Sequence, residues 1–475
     1  MSDKQQIILT EKQEYAINLI KQGKNVFITG PGGVGKGEII RYYKRICTKP
    51  IAVTSLTGIS SILIDGQTLH SWAGIGLGTR TTDELIKKIK GSKPLNSRWN
   101  GTQVLVIDEI SMLSPELFEK LEEIARNVRH NDEPFGGIQL ILSGDFAQLK
   151  PIESKDYCFQ SERWDACIDE TIYLDQIIRQ QDSVFQKCLN EIRLGNISDE
   201  TKEVLKSRYK AKLKVLHGLK PTRLYSKRID VNSINDEELS KITFEIHEFY
   251  EKINISSTHG SFISENHRQF LIDRINKSCR VLPILKLAKT AQVMLLTNLD
   301  PGSNLVNGSR GVVEDFAEDG YPIVKFANGI KTIIKPHSWT LEDERNVCVE
   351  KVQVPLILAW AATIHSSQGQ SLDLVSINLG QSIFEYGQAY VALSRVRTLE
   401  GLRIVDLDFS RMMCHPKVKE FYEKLIMENE SFHESENESE NEESSLNEEL
   451  KLNDSNYNSE NEELSLNESF HEKLQ

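Results

Sequence analysis

The plainest chemistry in the chain lies in seven residues, Gly30-Pro31-Gly32-Gly33-Val34-Gly35-Lys36. Glycines at this density let successive backbone N–H groups turn toward one anion. A helix opening at the lysine adds positive partial charge, and Lys36 itself can reach β- and γ-phosphates. The stretch follows an apolar run, Val26 to Thr29, and precedes a helical pattern, the setting a phosphate-binding loop requires. One position departs from that pattern. The residue after the lysine is ordinarily Ser or Thr, whose hydroxyl ligates Mg2+; here it is Gly37. A water can stand in, because Mg2+ keeps several. The expectation is that nucleotide binds while Mg2+ affinity or turnover is reduced.

Two further groups fit the same chemistry. Asp108-Glu109 ends the apolar run Val104 to Ile107. An aspartate there suits Mg2+, and the following glutamate can polarise an attacking water; taken alone, the pair would only cap the next helix. Ser143 to Leu149 closes another apolar run, and Gln148 within it is placed to sense a γ-phosphate or to position water. ATP and Mg2+ are therefore the expected cofactors, with Asp108 the candidate metal ligand.

The elements that must position these groups read as buried strands between helices. Val26 to Thr29, Ile51 to Val53, Val104 to Ile107 and Ile138 to Leu142 are short unalternating apolar runs. Helical patterns such as Gln5 to Gln22 and Glu116 to Val128 lie between them. This alternation implies a parallel α/β sheet. From Leu295 to Ile334 the character changes to short strands, with a hairpin signal at Asn328-Gly329, and a small β-barrel-like insert is expected there. Pro355 to Ala362 reads as one resumed buried strand. Leu374 to Leu379 and Leu402 to Val405 read as further strands of a second α/β domain.

Composition bounds the rest. The 475 residues are 39% hydrophobic and 27% charged, ordinary for a globular chain. No apolar run approaches the ~20 residues needed to cross a bilayer, and the first ten residues resemble neither a signal core nor a presequence, so an intracellular protein is expected. The seven cysteines are scattered without a CxxC pair, which points to reduced thiols rather than a disulfide framework or zinc site. The net charge of −12 belongs to the tail: residues 428–475 hold 16 acids and two lysines, leaving +2 on the remainder. Glu, Asn and Ser dominate that tail and Ser-Phe-His-Glu occurs in it twice, so it is expected to be disordered, either docking an unknown protein or inert.

The order of the motifs goes further. Leu9-Thr10-Glu11-Lys12-Gln13 opens the chain. Thr54-Ser55-Leu56-Thr57-Gly58 and Thr68-Leu69-His70-Ser71-Trp72 follow the phosphate loop. Leu121 to Arg126, Arg129 and Pro134 to Leu140 come after the acid pair, then Leu174-Asp175-Gln176-Ile177-Ile178-Arg179-Gln180, then Leu305 to Gly311, then Leu358 to Gly369 with Thr363-Ile364-His365-Ser366-Ser367-Gln368-Gly369, and last Tyr390-Val391-Ala392-Leu393-Ser394-Arg395-Val396-Arg397. Over about residues 8 to 410 this resembles the petite-integration-frequency (Pif) helicases of superfamily 1.

The resemblance implies two RecA-like parallel-sheet domains, residues 1–180 and 181–410, the second holding the β insert at about 295–340, then a terminal helix over 411–427 and the tail. It implies that Gln13 reads the adenine edge, that Gly30 to Gly37 and Gly369 border the nucleotide, and that Arg179 and Arg395 reach the γ-phosphate. It implies that Thr54, Ser55, Thr57, Gly58, Thr68, His70, Trp72, His365 and Gln368 hold single-stranded DNA; without it, Trp72 would count as core. Lysine usually stands where this chain has Ser366, which implies one phosphate contact fewer. The implied activity is ATP-dependent 5′→3′ unwinding by a monomer acting on single strands and duplex junctions in replication, repair or recombination. A nucleotide-gated single-strand binder with little unwinding is the alternative, motivated by Gly37 and Ser366. A small phosphotransferase would leave Arg179 and the second domain without a purpose.

Overall fold

The structure is a computed structural model, which describes residues 9–429 apart from 77, 152–153, 214–217, 258–262, 280, 301–302, 304 and 343–346. Residues 1–415 form one unit. The second unit begins at Pro416, and its described part is a helix over 416–429. From residue 430 onward, the tail expected to be disordered lies outside the described residues.

The first sheet comprises β1 (Val26–Thr29), β2 (Ile51–Ser55), β3 (Gln67–Thr68), β4 (Val104–Asp108), β5 (Gln139–Gly144) and β6 (Glu170–Tyr173). Its order is β3-β2-β4-β5-β1-β6, and every neighbouring pair is parallel. β1 and β5 are buried along their whole length, which is why they read as continuous apolar runs. Register aligns Thr29 with Gly144 and Ile107 with Leu142. The phosphate loop, the acid pair and the Gly144-Asp145 turn therefore leave the sheet at the same edge, the carboxyl end where ligands of such sheets collect. Gly144 allows close packing there: a Cβ on it would lie 2.8 Å from Ile110 Cγ2 and 2.9 Å from the Ile110 nitrogen.

The first helix runs Glu11–Lys21, not from Gln5; Thr10 caps it and Gln13 completes a capping box. The helix Pro115–Arg129 packs Phe118 on Phe135 at 5.3 Å between ring centres. Its last residue explains much of the stretch from Leu121 to Leu140. Arg129 donates to the carbonyls of Gly136 (2.6 Å), Trp99 (2.7 Å), Thr102 (2.9 Å) and Asn100 (3.1 Å). It thus fastens a turn in which Phe135, Gly136 and Gly137 all have positive φ to the end of the helix Lys93–Gly101.

The second parallel sheet has Thr222–Tyr225 between Ala361–Thr363 and Val375–Leu379, with Leu402–Leu407 outside the latter. Between Tyr225 and Ala361 the chain builds three antiparallel sheets. The five-stranded one orders Lys331–Ile333, Pro322–Phe326, Arg310–Phe316, Gln292–Leu295 and Leu356–Leu358. The Asn328-Gly329 hairpin joins its first two strands, with Gly329 at φ +86°. His337–Glu342, Val347–Gln353 and Lys252–Ser257 form a second sheet, and Ile246–Tyr250 with Ile284–Ala288 a third. The β region is thus wider than residues 295 to 340. The run Pro355 to Ala362 is not one strand: Leu356–Leu358 pairs antiparallel with Gln292–Leu295, and Ala361–Thr363 pairs parallel with Thr222–Tyr225. Arg310 ties insert to sheet, donating to Thr222 Oγ1 and, at 3.1 Å, to the Leu374 carbonyl.

Arg129→Ala should destabilise the first-sheet region by about 2 kcal/mol, the order for hydrogen bonds from a charged donor. A lower urea midpoint at unchanged slope would show it, and Arg129→Lys, with one compact donor group, should recover only part.

Candidate active site

The phosphate loop is held from outside by the segment after β6. The Gly33 carbonyl accepts from the nitrogens of Ile178 (2.9 Å) and Arg179 (3.1 Å). Contact is close enough that a Cβ on Gly30 would sit 2.0 Å from the Leu174 carbonyl oxygen. Gly30 has φ +139° besides, so only glycine serves there. The helix Lys36–Ile46 opens at the lysine. Lys36 Nζ donates to the carbonyls of Gly30 (2.7 Å) and Pro31 (2.9 Å). Burial, the largest influence, brings it down to about 8 against the pull of Asp145 and Glu109.

Asp108 and Glu109 stand at the end of β4, Glu109 in the left-handed region at φ +57°. Burial pushes Asp108 above the usual carboxylate range, against the Ser143 hydroxyl, which favours its charge. Glu109 is pushed up to about 7, first by burial and then by the charge of Asp108. Beside them Gln148 is 6% exposed. Among the described residues no three His, Cys, Asp or Glu side chains form a metal cage. The donor set is that of an ion held by one or two carboxylates and by its ligand's own phosphates, as Mg2+ commonly is.

Two cations face the loop, Arg179 from the segment after β6 and Arg395 from just past the helix Gln388–Leu393, beside the second sheet. Arg395 is 1% exposed. Its Nε donates to the Val391 carbonyl at 2.9 Å and its Nη2 to Ser394 Oγ at 2.7 Å. The same Nη2 lies 3.5 Å from where a Cβ on Gly32 would be. Arg179 Nη1 donates to the Ser394 carbonyl at 3.2 Å. Burial, then the charge of Arg395, brings Arg179 down to about 9, and burial lowers Arg395 as well. Arg179 and Arg395 thus meet at Gly33 and Gly32 while Lys36 holds Gly30 and Pro31 of the same loop, and burial disfavours all three charges, a condition an intervening polyanion relieves.

Beneath them lies a pair with no assigned role in the sequence reading. Arg193 and Asp145 are 1% and 0% exposed in their side chains and 2.9 Å apart. Burial alone would raise Asp145, but Arg193 and Lys36 outweigh it and hold its carboxyl below the usual range. Neither residue type nor spacing reveals such a pair, because its partners are 48 residues apart.

Several expected site residues sit elsewhere. Thr54 is 0% exposed, its hydroxyl given to the Val106 carbonyl at 2.6 Å. Ser55 is equally buried and bonds the Asp108 carbonyl at 3.3 Å. Trp72 is core, packed 4.6 Å from Trp99 between ring centres. These three cannot face a strand in this structure. Gln368 reaches the acid pair: its amide donates to Glu109 Oε2 at 3.1 Å and to Gln148 Oε1 at 3.4 Å. Thr57 bonds Ser60, and Gly58 opens the helix Gly58–Leu63. Thr68 caps the helix Leu69–Ala73, on which His70 is half-buried. His365 Nε2 is 3.6 Å from Glu385 Oε2. Gly369 has φ +77°. The Gln13 amide donates to the Val34 carbonyl (3.1 Å) and accepts from the Thr10 N–H (3.0 Å), and Thr10 and Val34 line a cavity with Lys12, Leu174 and Asp175.

Comparison with known proteins agrees with this geometry. Residues 1–203 match the family model for PIF1-like helicases, and residues 271–316 match that for the DNA helicase Pif1 2B domain. The ATP-dependent DNA helicase PIF1 of Xenopus laevis is 40% identical over 433 residues, 90% of this chain and 66% of that protein. The chain therefore spans about two thirds of that relative's length. The crystal structure of Pif1 helicase from Candida albicans is 38% identical, with a TM-score of 0.74 over 88% of this chain and 100% of that one. A Bacteroides sp. Pif1 in complex with ADP-AlF4 is 28% identical, with a TM-score of 0.73 over 89% of this chain and 98% of that one. The two parallel sheets are accordingly RecA-like domains, and the chain belongs to the PIF1-like helicase family.

Proposed function

We propose that this chain is an ATP-dependent DNA helicase that moves 5′→3′ on single-stranded DNA and unwinds duplex at junctions. The observation that carries the reading is the meeting of Lys36, Arg179 and Arg395, drawn from two parallel-sheet domains, on one glycine loop opposite Asp108 and Glu109. A triphosphate bound by cations of both domains favours their closed arrangement, and loss of its terminal phosphate removes that preference. Lys36 and the loop N–H groups bind the phosphates. Arg179 and Arg395 stabilise the charge on the transferred group. Glu109 takes the proton of the attacking water, and Gln148 with Gln368 orients that carboxylate and the water. Asp108 would hold Mg2+, which when bound neutralises phosphate charge.

On the DNA side the reading keeps Thr57, Gly58, Thr68, His70 and His365. The protein acts as a monomer in DNA replication, repair or recombination, inside a reducing compartment. Support for the last is the sequence's seven scattered cysteines without a CxxC pair. In the tail, a protein-docking role is retained as part of the proposal.

Three experiments test this. In strand displacement with ATP, a 5′-tailed duplex should be unwound and a 3′-tailed one should not; unwinding only from a 3′ tail overturns the direction. A Cβ on Gly37 would have only the Arg41 guanidinium near it, at 3.9 Å, so a serine fits. Gly37→Ser should raise ATP hydrolysis several-fold at limiting Mg2+ and little at saturation. If neither wild type nor this variant hydrolyses ATP faster with added single strand, the chain is a nucleotide-gated binder instead. Ser366 caps its own turn, its hydroxyl donating to the Thr363 carbonyl at 2.8 Å. Ser366→Lys should tighten single-strand binding and steepen its logarithmic salt dependence by about 0.7 to 1, read from titrations at several salt concentrations.

A further inference from the structure

One side chain enters the phosphate loop without a part in the scheme above. Tyr390 lies on the helix Gln388–Leu393, 2% exposed. Its hydroxyl oxygen accepts the Gly32 N–H at 2.7 Å. Gly32 is the third residue of the loop, and its N–H is of the kind that otherwise points at phosphate oxygens. The hydroxyl and Arg395 Nη2 both lie 3.5 Å from where a Cβ on Gly32 would be. A phenol has one proton to donate as well as oxygen lone pairs. Among the described residues that proton has no protein acceptor: the one hydrogen bond at the hydroxyl is the one it receives. Buried donors are nearly always satisfied, so an unspent one beside Arg179 and Arg395 points to an anionic acceptor.

We propose that Tyr390 is a phosphate ligand of the nucleotide, its hydroxyl taking the Gly32 N–H and passing a hydrogen bond on to a phosphate oxygen. This rests on the nucleotide reading of the loop given above. The chain N–H to O–H to phosphate polarises in one direction, so each bond strengthens the next. Burial also raises the phenol's pKa, which keeps it a donor through the neutral range. The contact extends the loop's donor set with one from the second domain, and unlike the side chains of Arg179 and Arg395 its hydroxyl bonds the loop's own backbone. A tyrosine that only braced the loop would matter for folding and not for affinity.

Tyr390→Phe in the full chain removes the hydroxyl and keeps the ring. Affinity for ADP and for a non-hydrolysable ATP analogue is measured by calorimetry without DNA, with thermal unfolding of the nucleotide-free protein as the check on folding. The expected result is about tenfold weaker binding of the analogue at nearly unchanged unfolding temperature, the loss of one hydrogen bond to a charged acceptor. Affinity within twofold of wild type overturns the inference, and so does tighter binding, which would make the hydroxyl a competitor of phosphate. Lys36→Ala, measured alongside, separates the two levels. If it abolishes binding while Tyr390→Phe leaves it unchanged, only the tyrosine assignment fails. If wild type itself binds neither nucleotide, the nucleotide reading fails. Should Tyr390→Phe not fold, 3-fluorotyrosine at 390, a stronger donor of the same shape, should tighten analogue binding, and unchanged affinity would overturn the inference.

Discussion

Positive charge gathered where little water reaches it is the constraint from which the rest of this structure follows. Lys36 and Arg179 are half-buried and Arg395 is buried, and Arg179 and Arg395 repel across the interface of the two parallel-sheet domains. Such a cluster is tolerable only with compensating charge near it. Asp145 supplies part, shared between Arg193 and Lys36. Breaking the Asp145–Arg193 pair from one side would leave a buried charge alone, at a cost of about 3–5 kcal/mol. The residual excess of cation is what a triphosphate would neutralise, so stability of the joined domains and affinity for nucleotide draw on the same electrostatics.

The contacts across that interface are concentrated on few residues. Gln180 Nε2 reaches the carbonyls of Ser394 and Val396, Arg179 shares the first, and Tyr390 reaches Gly32. Gln368 does the same at the acid pair, linking the turn His365–Ser367 to Glu109. A hydrogen bond to a carboxylate favours its charged form, so any shift of that turn would change how readily Glu109 ionises. The segment expected to grip a strand and the carboxylate expected to activate water are thereby two ends of one short hydrogen-bonded path.

Much of this could be read before the fold was known, and what could not has physical reasons. Buried parallel strands are apolar on both faces, so β1, β4 and β5 declare themselves. β6 does not: Glu170–Tyr173 is an edge strand with only Ile172 buried, and its residues carry no run to detect. Pro355 to Ala362 misleads in the opposite way, since one apolar stretch serves two sheets and turns at Ala359-Trp360 without glycine or proline to mark it. The glycine loop and acid pair are local patterns and were legible. The direction of a side chain is not local. Thr54, Ser55 and Trp72 share a segment with half-exposed Thr57 and His70, yet point inward. Gln368 was legible as a site residue and illegible as to which ligand it serves, because that depends on a register set 220 residues away by Gln148.

The two departures from the motif pattern differ in what the fold does with them. At Gly37 nothing replaces the missing hydroxyl: the backbone is ordinary helix and the space beside it is open as far as Arg41. A water can enter that space, so the proposed cost would fall on Mg2+ affinity and leave loop geometry alone. At Ser366 the small side chain is put to use. Its hydroxyl and its N–H both bond Thr363, closing the turn that carries Gln368 toward Glu109. A lysine there would offer a cation to a strand but could not return that hydroxyl bond. Charge toward DNA and definition of the turn are therefore in competition at one position, and this chain has the residue that favours the turn. The loss proposed on the DNA side would then not be a simple weakening, since a better-defined turn holds the Gln368–Glu109 contact more firmly.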